Sequence, residues 1–211
     1  FVKYEMFKRL NTGGSLLSAQ EIRNCSSRMV DGGDEFYEAI QRMAGNTSFK
    51  ATTTRLSESA RELRADEELV LRFFAVSNFR EGYKGNIEEW LNAFMEGVLF
   101  GNIEFDIPSN METFENVFAL VEAKLSDQAF TRFNEAGQPT GRLAPAYFEA
   151  VVASFAERYD EISQVSSDVL LERLKAAFVS AEFKDATGPG ANTIPKLHAR
   201  IATVGDYLVA A

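Results

Sequence analysis

The chain has 211 residues, of which 45% are hydrophobic and 18 are phenylalanine, so one ordinary domain or two small ones can form a full core. Residues 1–64 hold 10 Lys and Arg against 8 Asp and Glu, whereas residues 65–211 hold 12 against 23. Such an acidic body repels phosphate, which excludes non-specific coating of nucleic acid.

The cysteine content and the hydropathy of the sequence indicate in which cellular compartment the protein is expected. Cys25 is the only cysteine, which excludes an internal disulfide framework and favours a reducing cytoplasm. No apolar run approaches the roughly 18 residues of a membrane span, and no signal peptide is visible. The chain opens on Phe1 rather than Met, so we expect a fragment of a longer, cytoplasmic protein without membrane contact.

Helical periodicity dominates the chain, and no convincing run of alternating strand residues occurs. A short helix is predicted over 2–10 and ends at Gly13 and Gly14. Ser18 and Glu21 predict a capping box for the next helix, in which Cys25 continues the apolar face and should be buried.

Later segments complete a prediction of eight or nine helices. Residues 46–59 are rich in Ser and Thr and are predicted to be a loop, whereas 60–79 should form a central, buried helix. Residues 134–142 are typical of a surface loop, which is the best place to look for proteolysis or an internal boundary. The other helices are predicted around 36–44, 87–99, 114–125, 147–155, 170–178 and after 193. We predict a mainly α fold: one bundle-like domain with little or no sheet.

Three segments together resemble one known family. They read Arg-Leu-Asn-Thr-Gly-Gly at 9–14 with Leu-Ser-Ala-Gln-Glu-Ile-Arg-Asn at 17–24, Arg-Ala-Asp-Glu-Glu-Leu-Val-Leu-Arg-Phe-Phe at 64–74, and Gly-Ala-Asn at 190–192 with Arg200-Ile201. In order and spacing they resemble the GmrSD-type restriction endonuclease family. These prokaryotic antiviral defence proteins are related to type IV, modification-dependent restriction.

The resemblance implies a larger parent protein. In the family these motifs follow a ParB/sulfiredoxin-like segment, whose Asp-Gly-Gln-Gln-Arg motif is linked to nucleotide binding and hydrolysis. This chain lacks that motif, so residues 1–211 would be the C-terminal, helical half, with 1–30 next to the missing N-terminal part. Many members continue into an HNH nuclease, but one His and one Cys are too few for its metal site.

The implied partners are therefore the missing ParB-like segment and a nuclease domain or subunit. A nucleoside triphosphate and Mg²⁺ belong to the full-length protein, as does any DNA contact. No metal site and no catalytic residue are expected in this chain, and the isolated chain should not hydrolyse nucleotide.

The segment from Arg9 to Arg23 holds the candidate site for a nucleotide, for DNA or for the neighbouring domain. Glycines before a helix start let backbone amides approach an anion, and arginines add charge-assisted bonds. A simple helix end with two glycines explains the same sequence, and both interpretations stay open. The candidate residues are Arg9, Asn11, Thr12, Gly13, Gly14, Gln20, Glu21 and Arg23.

The sequence predicts different ion-pairing for Arg23 and Arg72. Arg23 has no acidic residue at i−4 or i+4, which leaves it free for a ligand or for the missing half. Arg72 lies inside the most apolar helix and must be paired, so Glu68 at i−4 is predicted to form a structural ion pair with it.

Two functions are weighed. The first is a helical subdomain that completes a nucleotide-dependent DNA-sensing domain in a GmrSD-type protein. The alternative is a stand-alone helical protein-interaction module without nucleotide or DNA binding. An exposed apolar patch around 1–25 favours the first, and a patch on the acidic helices favours the second.

Overall fold

A computed structural model describes residues 17–210. The described part is mainly α-helical, which confirms the predicted fold class. It contains twelve α-helices: α1 (Ala19–Ser27), α2 (Gly33–Ala44), α3 (Thr47–Thr52), α4 (Glu58–Glu62), α5 (Ala65–Asn78), α6 (Ile87–Leu99), α7 (Ile107–Leu125), α8 (Pro145–Glu157), α9 (Tyr159–Gln164), α10 (Ser167–Val179), α11 (Ala181–Thr187) and α12 (Ile194–Val209). The predicted helix over 2–10 and the candidates Arg9, Asn11, Thr12, Gly13 and Gly14 lie outside the described residues.

The start of α1 is capped as its sequence predicts. The Glu21 backbone N–H donates to Ser18 Oγ at 3.2 Å, and the Ser18 N–H donates to Glu21 Oε2 at 2.8 Å. This reciprocal arrangement satisfies two backbone donors that the helix itself cannot. The predicted capping box is therefore confirmed.

Two element predictions are corrected. The predicted loop at 46–59 contains α3, which Asn46 caps by accepting the Phe49 N–H at 3.0 Å. Phe49 is fully buried, with its ring centroid 5.0 Å from that of Phe118. The single helix predicted over 60–79 is divided, because Arg64 adopts the left-handed backbone region with φ of 63° between α4 and α5. Helix α3 has only six residues and one large buried apolar side chain, Phe49, so its sequence shows no apolar periodicity from which a helix could be predicted.

The only strands in the described chain form a hairpin in the predicted surface loop. β1 (Arg132–Phe133) pairs antiparallel with β2 (Pro139–Thr140), and Arg132 lies opposite Thr140. Gly137 adopts φ of 71° in the connecting turn, where a residue with a Cβ would be strained.

One continuous hydrophobic cluster joins helices from α2 to α12. Phenylalanines from α3, α5, α7 and α8 meet at its centre, with ring centroids about 4–6 Å apart. α5 contacts α1, α2, α6 and α8, and α8 in turn packs along α12. Trp90 lies in this core and donates its indole N–H to the Phe79 carbonyl at 2.8 Å. The central position of α5 decides which polar groups can meet inside the molecule.

Candidate functional site

Helix α1 buries its polar side, while Cys25 is exposed and Ile22 is half-buried. Its five buried side chains are all polar: Gln20, Arg23, Asn24, Ser26 and Ser27. Cys25 is exposed, and Met29 just beyond the helix is 40% exposed. The prediction that Cys25 is buried is therefore wrong, because the inward side of this helix faces carboxylate and amide groups of α5 and α6.

Arg23 is only 2% exposed and is fully engaged inside the chain. Its Nε–H donates to Asn92 Oδ1 of α6 at 2.8 Å, and its Nη1 donates to Gln20 Oε1 at 2.8 Å. Nη1 also lies 3.1 Å from Glu68 Oε2. Arg23 has no local acidic partner, but it is not left free as expected, because its acidic partner lies 45 residues away on α5.

Asn24 makes a second polar contact between α1 and α5. Its Nδ2 donates to Glu67 Oε2 at 2.5 Å, and its Oδ1 accepts from Gln20 Nε2 at 2.9 Å. Glu67 is itself buried and lies 3.6 Å from Arg64 Nη1. Gln20 therefore sits between Arg23 and Asn24 as an internal hydrogen-bonding residue, and Glu21 serves the helix cap.

Arg72 of α5 connects Glu68 to a second buried carboxylate on α8. Its Nη2 lies 2.9 Å from Glu68 Oε1, at the predicted i−4 spacing. Its Nη1 lies 2.5 Å from Glu149 Oε1 of α8, a second partner that the sequence did not indicate. The other oxygen of Glu149 accepts from Arg200 Nη2 of α12, and Arg200 Nη1 donates to the Ala191 carbonyl at 2.8 Å.

These groups form one alternating series of charges, which we call the arginine–glutamate network. Its members are Arg23, Glu68, Arg72, Glu149 and Arg200. Four of the five are buried, and Glu68 is the most accessible, with 27% of its side chain exposed. Each carboxylate lies between two guanidinium groups, which offsets the large cost of taking these charges out of water.

The network shifts the pKa values of its members in opposite directions. Burial by itself raises the pKa of Glu68, but the attraction of Arg72 and Arg23 brings it below the ordinary value. Burial lowers the pKa of Arg23 more than Glu68 restores it. For Arg72 burial also acts to lower the pKa, yet Glu149 and Glu68 together raise it. The lowered pKa of Glu68 and the raised pKa of Arg72 keep this pair oppositely charged at neutral pH.

Around Glu149 several donors are unused. Arg72 Nε, Arg200 Nε and the Tyr83 hydroxyl are buried and have no hydrogen-bond partner among the described residues. Burial raises the pKa of Tyr83, and the nearby Glu149 carboxylate adds to this effect. Buried groups of this kind are usually satisfied by ordered water, so we regard this end of the network as structural.

All three family-like segments meet in this network. Arg23 comes from the segment 17–24, Glu68 and Arg72 from 64–74, and Arg200 from the closing element, whose residue Ala191 accepts one of its hydrogen bonds. Sequence analysis missed Glu149, which belongs to none of these segments. One signal was available, because Glu149 is the only charged residue in the run 147–155, whose other residues except Ser154 are hydrophobic.

A sizeable open cleft lies elsewhere. It has a volume of about 750 Å³ and is lined by the end of α5, the turn at 80–82 and the first half of α6. None of Gln20, Glu21, Arg23, Glu68 and Arg72 lines it. The structure therefore brings the described candidates together as mutual partners rather than around an open pocket.

Residues 17–210 offer no cluster of three or more His, Cys, Asp or Glu suited to a metal ion. None of the described helices combines the length and the apolar composition that a membrane crossing requires. Comparisons with protein-family models, curated proteins and solved structures returned no match.

Proposed function

We propose that this chain is the helical subdomain of a prokaryotic GmrSD-type defence protein and completes a nucleotide-dependent DNA-sensing domain in the cytoplasm. One observation carries the proposal. Three segments that resemble the family's motifs, separated by up to about 180 residues, contribute to one buried network. Motif residues that are far apart in sequence and adjacent in space are what a shared structural role requires.

In this proposal the network positions α1, and α1 positions the segment that precedes it. Arg23 and Asn24 connect α1 to α5 and α6, and the candidate loop residues Asn11–Gly14 come just before Ser18. Arg23 then acts through the helix that it holds, and contact with a nucleotide falls to residues outside the network. The nucleotide triphosphate, Mg²⁺ and DNA would be bound with the ParB-like segment.

The outer side of α1 supports docking of a further polypeptide. Leu17 is 36% exposed, and Cys25 and Met29 are exposed. The exposed Leu63 lies next to Ser18, since its carbonyl accepts the Ser18 hydroxyl at 2.8 Å. Exposed apolar side chains grouped on one side of a helix are typical of an interface. Their position at the amino end favours the subdomain over the stand-alone module.

The stand-alone module has weaker support. Val169 and Val179 of α10 are exposed, but they lie ten residues apart, with the charged Glu172, Arg173 and Lys175 between them. A module that binds a partner through α10 alone would lose binding when Val169 and Val179 are changed to Asp. The subdomain predicts no effect of that change on nucleotide hydrolysis.

The reading frame upstream of Phe1 provides the first test, and we expect an Asp-Gly-Gln-Gln-Arg motif there. The protein expressed from that longer frame should hydrolyse a nucleoside triphosphate with Mg²⁺, whereas residues 1–211 alone should not. Arg23→Ala should reduce this hydrolysis and the restriction of phage carrying modified DNA. Arg142→Ala is the matched control, because Arg142 is exposed and lies outside the network.

Two results would refute the proposal. The first is an upstream frame without that motif. The second is hydrolysis by purified residues 1–211, since the resemblance places the catalytic motif outside this chain.

A further inference from the structure

Helix α1 is attached to the rest of the molecule by polar groups. Its buried side chains are Gln20, Arg23, Asn24, Ser26 and Ser27, whereas α2 buries Phe36, Ile40 and Met43 and α8 buries an almost continuous apolar surface. Burial of apolar area is the main force that holds helices in a core. On the inner side of α1 that force is partly replaced by the hydrogen bonds of Gln20, Arg23 and Asn24 and by the ion pair of Arg23 with Glu68. The buried Ser26 hydroxyl has no hydrogen-bond partner among the described residues.

Polar attachments of this kind favour reversible docking. When α1 leaves its site, water can replace the hydrogen bonds of Arg23 and Asn24, so the net loss is small. Glu68 keeps Arg72 as a partner, and Glu67 keeps Arg64 within 3.6 Å. Departure of α1 therefore leaves neither Glu67 nor Glu68 without a cation nearby.

The nine residues of α1 are too few for a stable isolated helix in water, so its helical state depends on docking. The outer side of α1 contributes little apolar burial, because Cys25 is exposed. Local opening free energies are lowest where few apolar contacts hold an element.

We propose that α1 is a polar latch, a helix that docks and releases as one unit while α2–α12 stay folded, and that Arg23 is the contact that closes it. The charged groups that face Arg23 are Glu68 and Arg72 of α5 and Glu88 of α6. The inference goes beyond the proposed function and does not rest on it, because only contacts within residues 17–210 are used.

Hydrogen exchange on the full chain tests the latch. Backbone amides from Ile22 to Ser27 should exchange at least roughly tenfold faster than those in the middle of α8. A nitroxide on Cys25, the only cysteine, should report two populations, one docked and one mobile. Cys25 points away from the polar contacts, so the label leaves them intact. Exchange of α1 at the rate of α8, with a single immobile nitroxide population, would overturn the proposal.

Two variants each remove one partner of the hydrogen bond between Arg23 and Asn92. Arg23→Ala and Asn92→Ala should each increase the mobile nitroxide fraction and speed exchange in α1, with α8 and α12 unchanged. Arg142→Ala should alter neither. If either contact variant instead speeds exchange throughout the chain, α1 belongs to the global folding unit and the latch is wrong.

Discussion

Glu149 is the shared counter-ion of two of the three buried arginines in the arginine–glutamate network, Arg72 and Arg200. Its carboxylate is 1% exposed and binds Arg72 of α5 and Arg200 of α12 at the same time. Two guanidinium groups at one carboxylate are tolerated only while that carboxylate is ionised. Glu149 therefore determines whether α8 and α12 can pack with two arginines between them.

Glu149→Gln should be strongly destabilising. The amide keeps the shape of the side chain but removes the charge, and two buried arginines lose their shared counter-ion. We expect a loss of about 3–5 kcal/mol in the free energy of unfolding, measured in urea. Glu157→Gln is the matched control, since Glu157 pairs with Arg80 at a site that is about half exposed, and it should cost about 0–1 kcal/mol. Equal losses for the two variants would contradict the role given to Glu149.

Glu68 should make stability depend on pH in the acidic range. Its pKa in the folded chain lies below the ordinary value, so its contribution is present above the unfolded pKa of about 4.3. That contribution is lost as the pH falls through the lower, folded pKa. Urea unfolding between pH 7 and pH 2.5 should therefore show a steeper acid loss for the wild type than for Glu68→Gln. Parallel curves for the two proteins would rule out a contribution from Glu68.

At the scale of elements, the sequence predicts where α1 starts but not which side it buries. The capping box needs only Ser18 and Glu21, three residues apart, and is visible locally. The burial of the polar side depends on Glu67, Glu68 and Asn92, which lie 43 to 69 residues away. Apolar periodicity assumes that hydrophobic side chains face inward, and here that assumption fails.

The cap of α1 can be tested separately from its polar contacts. Ser18→Ala removes the acceptor for the Glu21 N–H and the donor to the Leu63 carbonyl, so α1 should lose about 0.5–2 kcal/mol of local stability. Hydrogen exchange of α1 amides measures this loss. Ser166→Ala is the matched control, because Ser166 precedes α10 without a capping hydrogen bond from its side chain. Identical exchange in the two variants would show that the cap contributes nothing.

At the scale of the whole molecule, the mainly α fold follows from the sequence because helical periodicity is repeated in most segments. The arrangement around the 134–142 segment could not be deduced in the same way. Phe130 and Phe148, on opposite sides of this segment, have ring centroids 4.9 Å apart, and the Ala144 N–H donates to the Phe130 carbonyl. Such long-range contacts carry no local sequence signal, and they argue for one folding unit rather than a boundary.

Phe118→Ala tests whether residues on both sides of that segment unfold together. Phe118 is fully buried and contacts Phe49, Phe114, Phe130 and Phe148, so its truncation should cost about 3–5 kcal/mol. Tyr159→Ala, at an exposed site, is the control and should cost much less.

The probes in this experiment report on different parts of the molecule. Fluorescence of Trp90, the only tryptophan, follows the core beside α6, whereas far-ultraviolet circular dichroism follows all helices. With one continuous core, both transitions should coincide and shift by the same amount in Phe118→Ala. A fluorescence transition that moves while half of the helical signal stays in place would instead place a domain boundary near 134–142. The shared phenylalanine contacts across that segment are the reason to expect coincidence.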